Sequence, residues 1–247
     1  MELELKKECL DTYELGEPQT LTQEETAETI VPDYCPDIAR IISAEGVVCL
    51  HGGTEQDGVT GTVRVTVLYT PENESGVRAL EFAMPFSAQG EGLAGCAHVV
   101  VTEIELLESR MLNPRKIFTR CKLVTHLAGC RKVCLTISSD AETDPALLVE
   151  KRCCGQTVSL LRQVAEKDLT FSETMSLSLG REGAAELLHC RANGIVTETK
   201  AIGNKLIFKG VFLVSALYRT IGGQLASASA ELPFSQIMET DSTEENT

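Results

Sequence analysis

Ten cysteines and four histidines are the residues of this 247-residue chain with the most reactive potential. The thiols are Cys9, Cys35, Cys49, Cys96, Cys121, Cys130, Cys134, Cys153, Cys154 and Cys190. A cytosolic chain seldom carries so many unless they bind metal, do redox chemistry or become oxidised later. The alternative treats several of them as small buried hydrophobes. His126, Cys130 and Cys134 are spaced by four, and a hairpin turning at Cys130 would set His126 opposite Cys134. A zinc site usually announces itself with paired Cys-x-x-Cys motifs, and this chain has none. A turn whose cysteines are disulfide-bonded or free is the competing reading. His189 and Cys190 are adjacent, but neighbours on one element usually point apart. There is no phosphate loop, dinucleotide fingerprint, Gly-x-Ser-x-Gly or His-Glu-x-x-His. No catalytic, cofactor-binding or metal-ligating residue is therefore assigned, and no enzyme is expected.

Composition narrows the partners. The net charge is −14, with 36 acidic against 22 basic residues, so a nucleic acid or an anionic membrane is not an expected partner. The first 16 residues contain two lysines but no apolar core, unlike a secretory signal. No run approaches the roughly 18 apolar residues of a membrane-spanning helix. The chain is expected to be made in a cytosol.

The elements that must position these thiols are read from an internal repeat. The first copy runs PDIARIISAEGVVCL, then GTVRVTVLY from Gly61 to Tyr69, then MPFS from Met84 to Ser87. The second runs GAAELLHCRANGIVTET, then GVFLVSALY from Gly210 to Tyr218, then LPFS from Leu232 to Ser235. Gly61 and Tyr69 lie 149 residues before their counterparts, and Pro85 lies 148 before Pro233. Three landmarks at nearly one offset mark a duplication. In each copy, Ile38/Ile41/Ile42 and Ala184/Leu187/Leu188 fall at helical spacing, with Gly46 and Gly194 as stops, which predicts one short packed helix per module. Val63, Val65, Val67 and Tyr69 alternate with polar residues as a half-buried strand does. Val211–Tyr218 is apolar on both faces and is expected to be buried more deeply.

Further strands are expected over His98–Leu107, Lys116–Leu127 and Lys132–Ser138, as a meander turning at Asn113-Pro114 and Gly129. Leu3–Leu15 and Leu169–Leu179 read as the entry strands of the two modules. The fold class is mainly β, with two tandem antiparallel sheet modules. The first occupies 1–142, a linker 143–158, and the second 159–247, cut short after LPFS and ending in an acidic tail. A sheet cut short exposes an edge of unpaired backbone groups. Glu2–Lys7 alternates charge with leucine and is expected to pair with a neighbouring module or subunit.

VPDYCPDIARII, GTVRVTVLY and PFS, with MELELKK and TETKAIGNKLIFKGVFLVSALYR, resemble the SPOCS domain of spore-associated proteins of anaerobic spore-forming bacteria. The resemblance covers nearly the whole chain as two copies. It implies β-rich domains used in spore morphogenesis, as envelope assembly factors or surface fibres, without catalysis or cofactor. Assembly factors of that family usually carry a C-terminal LysM module, and the chain ends at Thr247 without one, which favours a subunit that assembles with itself. The resemblance also implies synthesis in the mother-cell cytoplasm and a final place on the spore surface, where thiols become oxidised. The expected function is a self-assembling appendage or coat subunit, forming rings or filaments through sheet edges and disulfides. The alternatives are a soluble adaptor binding another coat protein through its sheet edges and, more remotely, a zinc-dependent scaffold. Cys9, near a terminus, and Cys153 and Cys154, in the linker, are the expected inter-subunit cross-links. Cys130, Cys134 and Cys190 are secondary candidates, while Cys49 and Cys121 belong in strands as core.

Overall fold

The computed structural model describes residues 4–51, 58–91, 96–142 and 182–240, and of the stretch between only residues 150, 152, 155, 157, 159–161, 164, 172 and 174. Among these residues ten strands make three antiparallel sheets: β1 (Glu4–Leu15), β2 (Gln19–Ile30), β3 (Ile38–His51), β4 (Gly58–Pro71), β5 (Arg78–Gln89), β6 (Ala97–Asn113), β7 (Lys116–Glu142), β8 (Ala184–Ile202), β9 (Lys205–Thr220) and β10 (Leu225–Glu239). β1, β2, β6 and β7 form the first sheet, β3-β4-β5 the second and β8-β9-β10 the third.

The first two sheets face each other as a sandwich, β3 over β6 and β5 over β2. The alternation read along β4 sends Val63, Val65, Val67 and Tyr69 inward, all at most 1% exposed. They meet Ile117, Cys121 and Leu123 of β7, with Leu80, Met84 and Phe86 of β5 completing the core. Burying such aliphatic side chains contributes roughly 1.5–3 kcal/mol each, which compensates for the scarcity of aromatics.

No helix occurs among the described residues, and this overturns the expectation of one per module. Ile38 pairs with Pro71 and Arg40 with Thr70; Ile41 pairs with Tyr69 and Ser43 with Leu68. Two β-bulges in succession thus leave Ala39 and Ile42 without partners. Each bulge adds one residue and delays the return to the inner face. Ile38, Ile41 and Ala44 consequently reach the core at intervals of three, a spacing that imitates a helix. β8 repeats both bulges against Thr220, Arg219, Tyr218 and Leu217. There the unpaired Leu188 is buried and Leu187 is exposed.

The other repeated landmarks also take matching places. Gly61 pairs with Phe86, and Gly210 with Phe234. A Cβ on either glycine would lie within 2.5 Å of the phenylalanine ring, so glycine is what lets the ring lie across the central strand. Pro85 and Pro233 fall on β5 and β10, which end their sheets; a residue without an N–H is tolerated on such an edge and blunts it against further pairing.

Two further expectations are corrected. β7 is one strand of 27 residues, running through Gly129 where a turn was expected. The interruption lies in its partner: Cys130 pairs with Leu15 on one edge and Ala97 on the other, so β1 and β2 follow one edge in line and β6 the other. The break between β1 and β2 falls opposite Gly129, whose carbonyl accepts from the Gly16 N–H at 2.8 Å. β9, expected to be the more deeply buried central strand, is the less buried one: Val214 is 9% exposed where Val65 is 1%, and Leu213 is 40% exposed. Leu169–Leu179, the expected second entry strand, lies outside the described residues apart from Ser172 and Thr174.

The third sheet joins the sandwich at the start of β8. Glu186 accepts from Arg78 of β5 at 2.9 Å and from Arg219 of β9 at 2.8 Å, and His189 lies 3.2 Å from Glu45 of β3.

Candidate assembly surface

The N-terminal strand pairs with β7 of the same chain. β1 runs along the last part of β7, Glu4 against Glu142 through Leu15 against Cys130, rather than along a neighbouring module. Because β6 reaches no further than Cys130, residues 131–142 have a partner strand on one edge alone among the described residues. A two-stranded ribbon therefore projects past the sandwich.

Cys9 and Cys134 lie on this ribbon. Cys9 faces Thr136 and Cys134 faces Asp11, so the two cysteines are diagonal neighbours. Their Cα atoms are 5.6 Å apart and their sulfurs are joined, 125 residues apart in sequence. One primary and one secondary cross-link candidate thus close on each other inside the chain. Cys153 and Cys154 lie outside the described residues. Cys130 is buried, and burial, then the neighbouring Cys96, raises its thiol pKa. Cys190 is exposed. Cys121 is fully buried in the core, and burial followed by the charge of Glu25 pushes its thiol up to about 11. Leu161 touches the ribbon, its carbonyl accepting from the Tyr13 N–H at 2.7 Å and the Thr12 hydroxyl at 3.0 Å.

His126, Cys130 and Cys134 do not converge. All three lie along β7, and eight residues of extended chain put His126 about 26 Å from Cys134. Among the described residues no group of three His, Cys, Asp or Glu side chains is placed to hold a metal ion. A cleft of about 840 Å³ between β3, β6 and β8 is lined by Cys49, Glu103, His189 and Cys190 among others. His189 turns to Glu45 there, its Nε2 3.2 Å from the carboxylate.

The segment Val31-Pro32-Asp33-Tyr34-Cys35-Pro36-Asp37 is the crossover from the first sheet to the second, and it closes around one guanidinium. Arg115 donates to the carbonyls of Cys35 and Val31, each at 2.8 Å, and to the carboxylates of Asp37 at 3.0 Å and Asp33 at 3.1 Å. The Val31 and Ile38 N–H groups donate in turn to the carbonyls of Arg115 and Pro114, both at 2.9 Å. Arg115 closes the turn between β6 and β7, so one side chain ties three strand ends together. Beneath it the Tyr69 hydroxyl donates to the Pro36 carbonyl at 3.3 Å, and burial, then Cys35, pushes its pKa up to about 12. Tyr34 stands out from this anchored loop at 88% exposure. The sequence reading missed Arg115; two aspartates four apart in a proline-rich loop, with an arginine just past an Asn-Pro turn, were the available signal.

No helix of the described residues is long and apolar enough to cross a membrane. Residues 184–247 match the family model described as SipL, SPOCS domain; the stretch takes in β8, β9 and β10. No curated protein and no solved structure matches the chain.

Proposed function

From the SPOCS-domain match at residues 184–247, which marks a spore-associated protein, we propose that this chain is a structural subunit of a spore-surface assembly, an appendage or coat element, that works without catalysis. Its modules are two tandem SPOCS-like units, and its principal partner is another copy of itself. The observation that carries this reading is the stretch of β7 beyond Cys130, a long strand that among the described residues has a partner on one edge alone and carries exposed aliphatic side chains. Open edges are what soluble monomers ordinarily shorten, charge or cover, and what assembling proteins use. Synthesis in the mother cell followed by oxidation at the spore surface would then add inter-subunit disulfides, with Cys153, Cys154 and Cys190 as donors and Cys9 contributing after exchange out of its pair with Cys134.

Electron microscopy of the purified protein and non-reducing electrophoresis of spore extracts test this together. Regular particles and a reductant-sensitive ladder are expected. A monomer by both methods would remove the reading. Tyr34 favours the second reading, a soluble adaptor: an exposed aromatic on a rigid loop is a common anchor for another protein.

A further inference from the structure

Cys9 and Cys134 differ from the other described cysteines in being both joined and exposed. Cys96, Cys121 and Cys130 are buried, Cys35 and Cys49 are half-buried, and Cys190 is exposed with a free thiol. The strand that the bond holds buries little of itself. Of residues 5–15, Thr12 is buried and Leu10 and Tyr13 are half-buried, while all of residues 5–9 are exposed. The stretch of β7 that faces them is similar, with Leu135 42% and Ile137 38% exposed. β2, on the same edge of β7, instead packs Leu21 and Ala27 against the buried apolar clusters of the sandwich.

We propose that the Cys9–Cys134 bond is a thiol-exchange site that works as a redox switch: a dithiol opens it and frees β1 from β7, re-oxidation locks β1 again, and the sandwich stays folded throughout. This holds whether or not the chain assembles with itself. An exposed disulfide admits the thiolate that must attack one of its sulfurs. One thiolate of the dithiol bonds to the first Sγ, and the electrons of the S–S bond leave on the second Sγ, which takes up a proton. The other thiolate of the dithiol then attacks the mixed disulfide, closes a cyclic disulfide and expels the first cysteine as its thiolate. The bond gains two electrons and the dithiol loses two. With the bond open, β1 keeps its ladder to β7, but a ladder whose side chains lie mostly in water opens easily. Thiols stay reduced in a cytosol and oxidise outside it, so the switch reads the compartment.

The fold confines the exchange to these two sulfurs. Cys130 is four residues from Cys134 along β7, about 13 Å of extended chain. It is buried, and burial raises its thiol pKa, so little of it is thiolate to attack its neighbour. The fold also confines the effect. The core residues Val63, Val65, Val67 and Tyr69 of β4 are at most 1% exposed, and no residue of β1 packs in their cluster. The Leu161 carbonyl holds Thr12 and Tyr13, so opening starts from the other end of β1.

The test takes the full chain oxidised with glutathione disulfide, adds dithiothreitol without denaturant, and reads iodoacetamide labelling and amide exchange by mass spectrometry. Cys9 and Cys134 should resist labelling before reduction and accept it afterwards. Amides of residues 6–12 should then exchange about tenfold faster, while those of residues 63–69 keep their protection. Replacing dithiothreitol with glutathione disulfide should restore the slow rate. Labelling of both cysteines before reduction would overturn the bond, and a bond that dithiothreitol leaves intact would overturn the exchange site. Unchanged exchange over residues 6–12 after reduction, or a rate that stays fast after re-oxidation, would overturn the switch. So would equal acceleration over residues 63–69, since the chain would then unfold as one unit. A chain carrying both Cys9→Ser and Cys134→Ser should show the fast rate with or without dithiothreitol; a rate that still responds would assign the effect to another cysteine and overturn the proposal.

Discussion

Arg115 concentrates four polar contacts in one side chain, and its position explains why. The crossover 31–37 must turn away from the first sheet and enter the second, which takes the Val31 and Cys35 carbonyls out of any ladder. A guanidinium presents its donors in a planar fork, so one side chain can satisfy two carbonyls and two carboxylates at once. Arg115→Ala should lower stability by about 2 kcal/mol, read as a shift in the urea midpoint, because it removes charged donors and leaves carbonyls short of partners. Arg115→Lys should recover only part of this, having no fork. A midpoint unchanged in the alanine variant would show that water replaces the guanidinium.

Cys121 gives a pH signature at the same scale. Its thiol moves from an ordinary 9.0 to about 11 because burial disfavours the thiolate, with Glu25 adding to the effect. Below pH 9 both the folded and unfolded chains hold this proton, and the shift has no effect on stability. Between 9 and 11 the unfolded chain releases a proton that the folded chain keeps, so stability falls as pH rises through that window. Tyr69, raised from 10.0 to about 12, extends the same trend. Urea midpoints at pH 8 and pH 10 should differ less in Cys121→Val than in the parent. Equal slopes would mean that this thiol is not what titrates.

At the scale of elements, the Cys9–Cys134 bond ties β1 to the part of β7 that has no second neighbour among the described residues. A two-stranded ribbon is marginal in water by itself. Closing a loop that spans 125 residues of sequence contributes about 2–4 kcal/mol, mostly by restricting the unfolded chain. Cys134→Ser should therefore lower stability by that amount under oxidising conditions and have little effect in reductant. Amide exchange along Lys6–Thr12 should accelerate in the same variant while the β4 amides stay protected. Loss of protection in both strands together would mean that the ribbon and sandwich unfold as one unit. The repeated Pro-Phe-Ser works at this scale too: proline ends the sheet, phenylalanine covers a glycine on the central strand, and the central strand is left in the middle of three.

For the whole molecule, the third sheet makes few contacts with the sandwich among the described residues. Glu186, between Arg78 and Arg219, is the principal polar tie, and these groups are partly exposed. Partly exposed ion pairs contribute little to global stability. Glu186→Ala should leave the urea midpoint within about 1 kcal/mol of the parent, yet amide exchange at residues 184–190 should quicken relative to β4. If both stay unchanged, apolar contact alone holds the sheets together.

The sequence by itself determined that the chain is β-rich, where β4 and β9 run, that the Gly…Leu-Tyr and Pro-Phe-Ser landmarks recur, and that Cys121 belongs in a core. Each of these follows from local alternation or composition, which one strand carries along its own length. Tertiary structure decided the rest. Ile38, Ile41 and Ile42 looked helical because two bulges stretch a period of two toward three, and a bulge is defined by the partner strand, here Leu68–Pro71. Gly129 looked like a turn, but whether the chain turns there depends on β1 and β2, more than a hundred residues away, which interrupt opposite it. Cys9 looked available to another subunit until pairing across those same residues brought it beside Cys134. How far β7 has a partner on its second edge follows from where β6 stops, at Ala97 opposite Cys130, and a limit set by a distant strand leaves no mark in the local sequence.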